Sequence, residues 1–240
     1  MDRRTRRRAW RGIKRRQKTL LSQALPNSSR LAYLAALPKL HDWVKDRAAG
    51  CPLFADRFDL YRYVNETVIK DRPISYLEFG VFKGESITQW ALTNTDDASV
   101  FVGFDTFEGL DETWRLLVTE TDMKSFDVKG ALPATTDHRV GFVKGYFQDT
   151  LPEFLRTFRP QHRLVIHCDA DLYSSTLYAL AQCNEIMTTG TVVIFDEFSS
   201  ILHEFRAFED YCAAYRRDYR TLAATKAELS YFDQVAIELL

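Results

Sequence analysis

The stretch Ile74-Ser-Tyr-Leu-Glu-Phe-Gly-Val-Phe-Lys-Gly84 decides the fold. An apolar run ends on an acidic residue, Glu78, and passes into two glycines spaced four apart, Gly80 and Gly84. That pattern predicts a buried strand with a carboxylate at a tight turn, where main chain can approach a ligand, and a helix from about Glu85. The next apolar run, Val100-Phe-Val-Gly-Phe-Asp105, also ends on an acid. Two successive strands with carboxylates at their carboxyl ends, one βαβ unit apart, point to a nucleoside ligand held by its hydroxyls. The turn reads G-x-x-x-G and not G-x-G-x-x-G, which disfavours a nicotinamide cofactor.

Working outward, strands are predicted at 74–79, 100–105, 140–144, 163–168, 191–196, 220–225 and 233–239, with helices at 85–93, 150–158, 174–188 and 204–218. Thr150-Leu-Pro-Glu153 reads as a capping box with Pro in the first turn. Phe205, Phe208, Tyr211, Cys212 and Tyr215 mark one apolar helix face, better read as core than as a cofactor wall. This order makes an α/β fold, a Rossmann-like seven-stranded sheet, mainly parallel with a terminal antiparallel hairpin. Before it, residues 31–70 read as helices with Leu31, Leu34, Leu37, Leu40 and Trp43 at a spacing of three, a cover for the sheet or a lid over the ligand. Residues 1–30 form a separate basic arm, and 71–240 the main domain. Between Gly109 and Arg139 no period holds, and the position after the second strand makes this insertion the candidate for substrate contact.

Charge is unevenly spread. Residues 1–18 hold ten of the 32 Lys and Arg but one of the 33 Asp and Glu, so a net charge of −1 conceals a cationic start on an acidic body. Such a start suits an anionic surface or simply solvent, and with no recognised motif beside it a nucleic-acid partner is not expected. No apolar run reaches the length of a membrane span, and no long apolar segment follows the basic start as in a secretory signal. Cys51, Cys168, Cys183 and Cys212 are scattered without metal or redox spacing, so reduced thiols and a cytoplasmic setting are expected. A homodimer is the default assembly.

The densest polar constellation is His167-Cys-Asp-Ala-Asp-Leu-Tyr173, followed by Val193-Ile-Phe-Asp-Glu197. Asp169 ends one strand, and Asp196 with Glu197 ends its neighbour, so their carboxylates converge and repel unless protons or a cation intervene. Mg²⁺ held by one to three carboxylates with water and substrate oxygens fits that chemistry. The alternative is that these acids bond backbone amides. Asp171 reads as the cap of the helix that begins near Leu172.

The strings YLEFGVFKGESI, GFDTFEGL, KGYFQDTLPEFL, HCDADLYSST and GTVVIFDEF, in this order over roughly residues 58–240, resemble the macrocin O-methyltransferase family. These are class I S-adenosylmethionine-dependent enzymes that methylate sugar hydroxyls, built on a sheet of order 3-2-1-4-5-7-6. The resemblance implies that Glu78 and the turn Phe79-Gly80-Val81 hold the methionine end of the cofactor. It implies that Asp105 takes both ribose hydroxyls, Thr106 and Phe107 line the nucleoside, and Gly145, Tyr146 and Phe147 lie by the adenine. It places metal ligands at Asp169, Asp196 and Glu197, although the family carries two consecutive Asp where this chain has Asp196-Glu197; Asp169 and Gly84 are also expected beside the cofactor.

The implied reaction is in-line displacement at the sulfonium methyl by a hydroxyl of a sugar or other small polyhydroxylated acceptor, assisted by Mg²⁺. The family's basic His has no aligned counterpart, which leaves His138, His203 or Asp196 with a bound water as proton acceptors. An amine, phenol or macromolecular acceptor is the nearest alternative. A non-catalytic cofactor-binding module stands further off.

Overall fold

A computed structural model describes residues 29–240, apart from 111, 116–119, 123 and 228–230. The basic arm therefore lies outside the described residues, except for its last two positions. In chain order the elements are helix α1 (Ser29–Arg47), strand β1 (Leu53–Phe54) and helix α2 (Arg57–Tyr63), which runs on as a π-helical segment, Val64–Ile69. Then come β2 (Ile74–Phe79), α3 (Glu85–Thr93), β3 (Val100–Asp105) and the short strands β4 (Trp114–Arg115) and β5 (Glu120–Thr121). The remainder is β6 (Val140–Lys144), α4 (Phe147–Thr157), β7 (Arg163–Cys168), α5 (Tyr173–Cys183), β8 (Val192–Phe195), α6 (Glu204–Tyr215), β9 (Tyr219–Lys226) and β10 (Phe232–Leu239).

The main sheet has the order β1-β9-β10-β8-β7-β2-β3-β6. Numbered along the alternating part of the chain, its last seven strands give 6-7-5-4-1-2-3, the order implied by the resemblance; β1 adds an eighth strand, parallel to β9. Only β10 runs antiparallel, between β8 and β9. Every residue of β2 is buried, because β3 and β7 flank it and helices cover both faces. Leu77 and Phe79 point into the layer containing α5 and α6, whereas Tyr76 points to the other layer with Trp90 of α3 and Tyr61 of α2. Leu77 is fully buried, so Leu77→Ala costs about 2–5 kcal/mol.

Two local readings need correction. Helix α4 starts at Phe147, not Thr150; the Thr150 hydroxyl donates to the Tyr146 carbonyl at 2.9 Å from within the helix, and Pro152 sits inside it. The spacing-of-three leucines of α1 do not share a face. At about 100° per residue, Leu31 and Leu40 are half a turn apart, and accordingly Leu31 is 49% exposed while Leu40 is 1%. The buried end of α1 covers the sheet: Trp43 packs against Phe198 with the rings tilted at 49° and their centroids 4.5 Å apart, and donates its indole N–H to the Tyr219 hydroxyl at 2.7 Å. Among the described residues, no helix is long and apolar enough to cross a membrane.

Candidate active site

The order of the parallel strands reverses between β2 and β7, and a cavity of about 660 Å³ opens there at their carboxyl ends. Its floor is the β2–α3 turn. Gly80 has φ +93°, and a β-carbon on it would lie 1.7 Å from the Asp169 carbonyl oxygen, so only glycine lets the ends of β2 and β7 meet this closely. Asp105, at the end of β3, fixes the same turn from the other side. Its carboxylate accepts from the Val81 and Phe82 amides at 2.7 and 2.8 Å, and from the Phe107 amide at 2.7 Å.

Of the residues predicted to hold a cofactor, Gly80, Val81, Asp105, Thr106, Tyr146, Phe147 and Asp169 line the cavity. Glu78, Phe79, Gly84, Phe107 and Gly145 are not in its lining. Phe79 and Phe107 are core residues, and Gly84 caps α3 in a left-handed conformation. Glu78 is fully buried below the floor. Its carboxylate accepts from the Ser86 hydroxyl at 2.9 Å and from the Tyr76 hydroxyl, and lies 3.3 Å from Nδ1 of His167. It braces the turn from behind.

The acids gather at the β7 and β8 ends. Asp169, Asp171, Asp196 and Glu197 all line the cavity. Burial, then the neighbouring Asp196 and Asp171 charges, push the Asp169 carboxyl well above its usual range. Burial and Glu197 push Asp171 up to about 8, and burial and Asp196 push Glu197 up to about 7. Beneath them Glu204 is raised as well, chiefly by burial, while its Oε2 accepts from the Glu197 amide at 3.0 Å. Facing this group is Arg57, at the start of α2, with a guanidinium nitrogen 3.7 Å from Asp196 and an ion pair to Glu85.

Asp171 is not the helix cap expected from its position. Leu172 occupies the cap without a side-chain bond, and Asp171 adopts φ +57° with its carboxyl in the cavity wall. Donor atoms of His167, Asp169 and Asp196 lie within 4.8 Å of one another, a grouping able to hold a metal ion. Glu197 is not in that grouping. His167 was hidden by its place in an apolar strand; the available signal was a polar ring two residues before Asp169 in a run otherwise fit for burial.

His138 and His203 do not line the cavity. His138 is exposed just before β6, at the amino-terminal end of a strand whose carboxyl end faces the ligand. His203 caps α6, and its Nδ1 accepts from the Tyr173 amide at 3.3 Å. The insertion supplies Gly109, Leu110, Trp114 and Phe126 to the cavity wall, in keeping with its expected place beside the ligand.

The sequence model of the macrocin-O-methyltransferase (TylF) family matches residues 41–238. A relative from Streptomyces olivaceus, 8-demethyl-8-(2,3-dimethoxy-alpha-L-rhamnosyl)-tetracenomycin-C 4'-O-methyltransferase, is 30% identical over 174 residues, which cover 62% of this chain and 65% of the relative. The chain thus spans just under two thirds of that relative's length. Among solved structures, the calicheamicin methyltransferase CalS11 is similar with a TM-score of 0.57 and 22% identity, over 89% of this chain and 94% of that one. An O-methyltransferase from Bacillus cereus in complex with SAH is similar with a TM-score of 0.51 and 16% identity, over 92% and 96% of the two chains. These structures share the fold, and with the family model spanning most of its length, the chain belongs to the macrocin-O-methyltransferase (TylF) family.

Proposed function

We propose that this protein is an S-adenosylmethionine-dependent O-methyltransferase acting on a hydroxyl of a sugar or similar small polyhydroxylated acceptor, with Mg²⁺ as the assisting ion. The observation that carries the reading is the meeting, in one cavity, of the Gly80–Asp105 turn with the carboxyls of Asp169, Asp171 and Asp196. Family membership supports it, as does the rhamnosyl 4'-O-methyltransferase activity in the name of the Streptomyces olivaceus relative. The SAH named with the Bacillus cereus structure is the demethylated form of the proposed cofactor.

Asp105 receives the ribose. A carboxylate has about four acceptor positions, and three are filled by main-chain amides, so two ribose hydroxyls are both accommodated only if one amide yields its share. Thr106 lies beside the nucleoside, and Tyr146 and Phe147 offer flat apolar faces to the adenine. The Gly80-Val81 turn takes the methionine end, braced by Glu78.

Asp169 and Asp196 supply the hard oxygens that Mg²⁺ prefers, and the raised carboxyl of Asp169 marks a place where positive charge is wanted. When bound there, the ion supplies Lewis acidity that lowers the acceptor hydroxyl's pKa. Glu197 contributes negative charge at the cavity edge and is left out of the inner ligand set. The reaction also needs an acceptor for the hydroxyl proton, and we assign it to Asp171, which reaches the cavity where His138 and His203 do not and would give up its own proton once a cation offset the neighbouring Glu197 and Asp196 charges that raise it.

The test is transfer of labelled methyl from S-adenosylmethionine to a panel of methyl glycosides, methyl α-L-rhamnopyranoside among them, with Mg²⁺ and with EDTA. Label on a sugar oxygen, lost in EDTA, is expected. Transfer unaffected by EDTA removes the metal from the proposal, and a folded protein that transfers nothing to any hydroxyl contradicts it entirely.

A further inference from the structure

Arg57 is a cation in a wall of acids. The cavity lining carries six carboxylic side chains, Glu85, Asp105, Asp169, Asp171, Asp196 and Glu197, and two cationic ones, Arg57 and Lys83. Arg57 is the first residue of α2, placed by Asp56, whose carboxylate caps the helix and accepts from the Phe58 amide at 2.7 Å. The guanidinium carbon lies 5.2 Å from the centre of the Phe58 ring, a contact that steadies it. The side chain is 26% exposed and lines the cavity, so a ligand there can reach it.

A guanidinium carries five N–H donors. Among the described residues, Arg57 makes one hydrogen bond, to the Glu85 carboxylate. That partner is 68% exposed, and a pair so open to solvent is weak and readily shared. Asp196 attracts the guanidinium from 3.7 Å, beyond hydrogen-bonding distance, and the same Asp196 oxygen accepts from the Gln234 side-chain amide at 3.0 Å. A partly satisfied fork of donors therefore stands in the same wall as Gly80, Val81 and Ser86.

The methionine end of the cofactor brings three charges: a positive sulfonium, a positive α-ammonium and a negative α-carboxylate. The acids suit the first two, but they repel the carboxylate unless a cation meets it. Lys83 is exposed, with its ammonium 4.9 Å from the centre of the Phe82 ring, and that ring meets Phe126 of the insertion edge-on. Arg57 instead contacts Glu85 in the first turn of α3, where the helix amino terminus adds a field favourable to an anion. Its planar fork also matches a carboxylate with two parallel bonds, which an ammonium cannot do. We infer that Arg57 holds the α-carboxylate of S-adenosylmethionine. The inference rests on the S-adenosylmethionine reading given above and adds the residue that recognises the amino-acid end of the cofactor.

Calorimetry with two ligands tests it: S-adenosylhomocysteine, and its decarboxylated analogue, which keeps the amine and the thioether. Wild type, Arg57→Gln and Arg57→Lys are compared in Mg²⁺, with circular dichroism reporting that each is folded. Loss of Arg57 also leaves the acids less compensated, but both ligands carry the same ammonium, so that effect cancels in the ratio of their affinities. Wild type is expected to prefer S-adenosylhomocysteine by about tenfold or more, and Arg57→Gln to bind the two within about twofold of each other. Arg57→Lys, with the charge but no fork, falls between them and decides the matter if Arg57→Gln does not fold. A wild-type protein without the preference, or folded variants that keep it in full, overturns the inference. Equal losses for both ligands overturn it too, and assign Arg57 to the shape of the cavity. A folded wild type that binds neither ligand contradicts the cofactor reading itself, and this inference with it.

Discussion

Gly80 and the Asp169 carbonyl are packed so closely that no side chain fits between them: a β-carbon on Gly80 would stand 1.7 Å from that oxygen. The contact joins the turn after β2 to the residue that begins the acidic cluster after β7, and the Asp169 amide donates to the Phe79 carbonyl at 2.8 Å across the same junction. Cofactor turn and acid cluster are thus held in register by main chain. The neighbour that Gly80→Ala would strike is backbone, and the φ of +93° adds strain. The expected outcome is a loss of cofactor affinity of tenfold or more, on the order of 1.4 kcal/mol at least, together with a lower Tm. Calorimetry and thermal melts check it; wild-type affinity in a folded variant contradicts the packing.

Asp171→Asn preserves size and removes the proton acceptor. Turnover is expected to fall by about 10²–10⁴. Cofactor affinity should stay within about twofold, a change too small to signal a lost hydrogen bond. Single-turnover methyl transfer measures the first and calorimetry the second. Turnover at the wild-type level returns the role to another group.

The acid cluster makes the metal-free protein sensitive to pH in a definite direction. Asp171 is raised from 3.8 to about 8 and Glu197 from 4.5 to about 7, so the folded state holds protons that the unfolded chain releases. Stability is then greatest below the unfolded values and falls as pH rises from about 4 to about 8. In EDTA, the Tm contribution of this cluster should decline across that window. Mg²⁺ should restore it, increasingly so at higher pH, with protons released on binding. Melts at several pH values, with and without Mg²⁺, read both effects. A metal-free Tm that rises through the window, or an Mg²⁺ effect that shrinks with pH, contradicts the cluster's part in binding.

At the opposite end of the sheet, Arg139 ties α3 to β6. Its guanidinium donates to the carbonyls of Ala91, Asn94 and Asp96 and pairs with Asp137 at 2.7 Å. Hydrogen bonding from Arg139 lowers the Asp137 carboxyl to about 2. A depressed carboxyl stabilises above its unfolded value and ceases to as pH falls through the folded one, so this contribution disappears between about pH 4 and about pH 2. Arg139→Met leaves three carbonyls without their donor and is expected to cost roughly 2–4 kcal/mol, with cofactor affinity kept in the folded fraction. Urea melts give the first quantity; a cost below about 0.5 kcal/mol, the range of neutral surface substitutions, contradicts it.

Strand positions were legible because β2, β3, β7 and β8 are short, mostly apolar runs that end within one residue of Glu78, Asp105, Asp169 and Asp196, and polarity marks those ends sharply. Convergence of the last two acids followed from parallel neighbours. Less legible was what depends on direction. Asp171 has the composition of a cap, and only its φ of +57° turns the carboxyl into the cavity. His138 is near the ligand end in sequence, but the chain has by then crossed to the other end of β6. The α1 leucines follow a spacing of three that a helix of 3.6 residues per turn does not keep on one face. In the 109–139 insertion, Trp114 reaches the cavity from a two-residue strand and Phe126 from a turn, both too short for a period to announce a side chain's direction.

The most direct measurement is calorimetric titration of S-adenosylmethionine into wild type and Asp105→Ala. Asp105 both orders the Val81, Phe82 and Phe107 amides and faces the cavity. Wild type should bind in the micromolar range, near −8 kcal/mol, with affinity reduced at least a hundredfold in the variant. A folded wild-type protein that does not bind S-adenosylmethionine would contradict the methyltransferase assignment at its root.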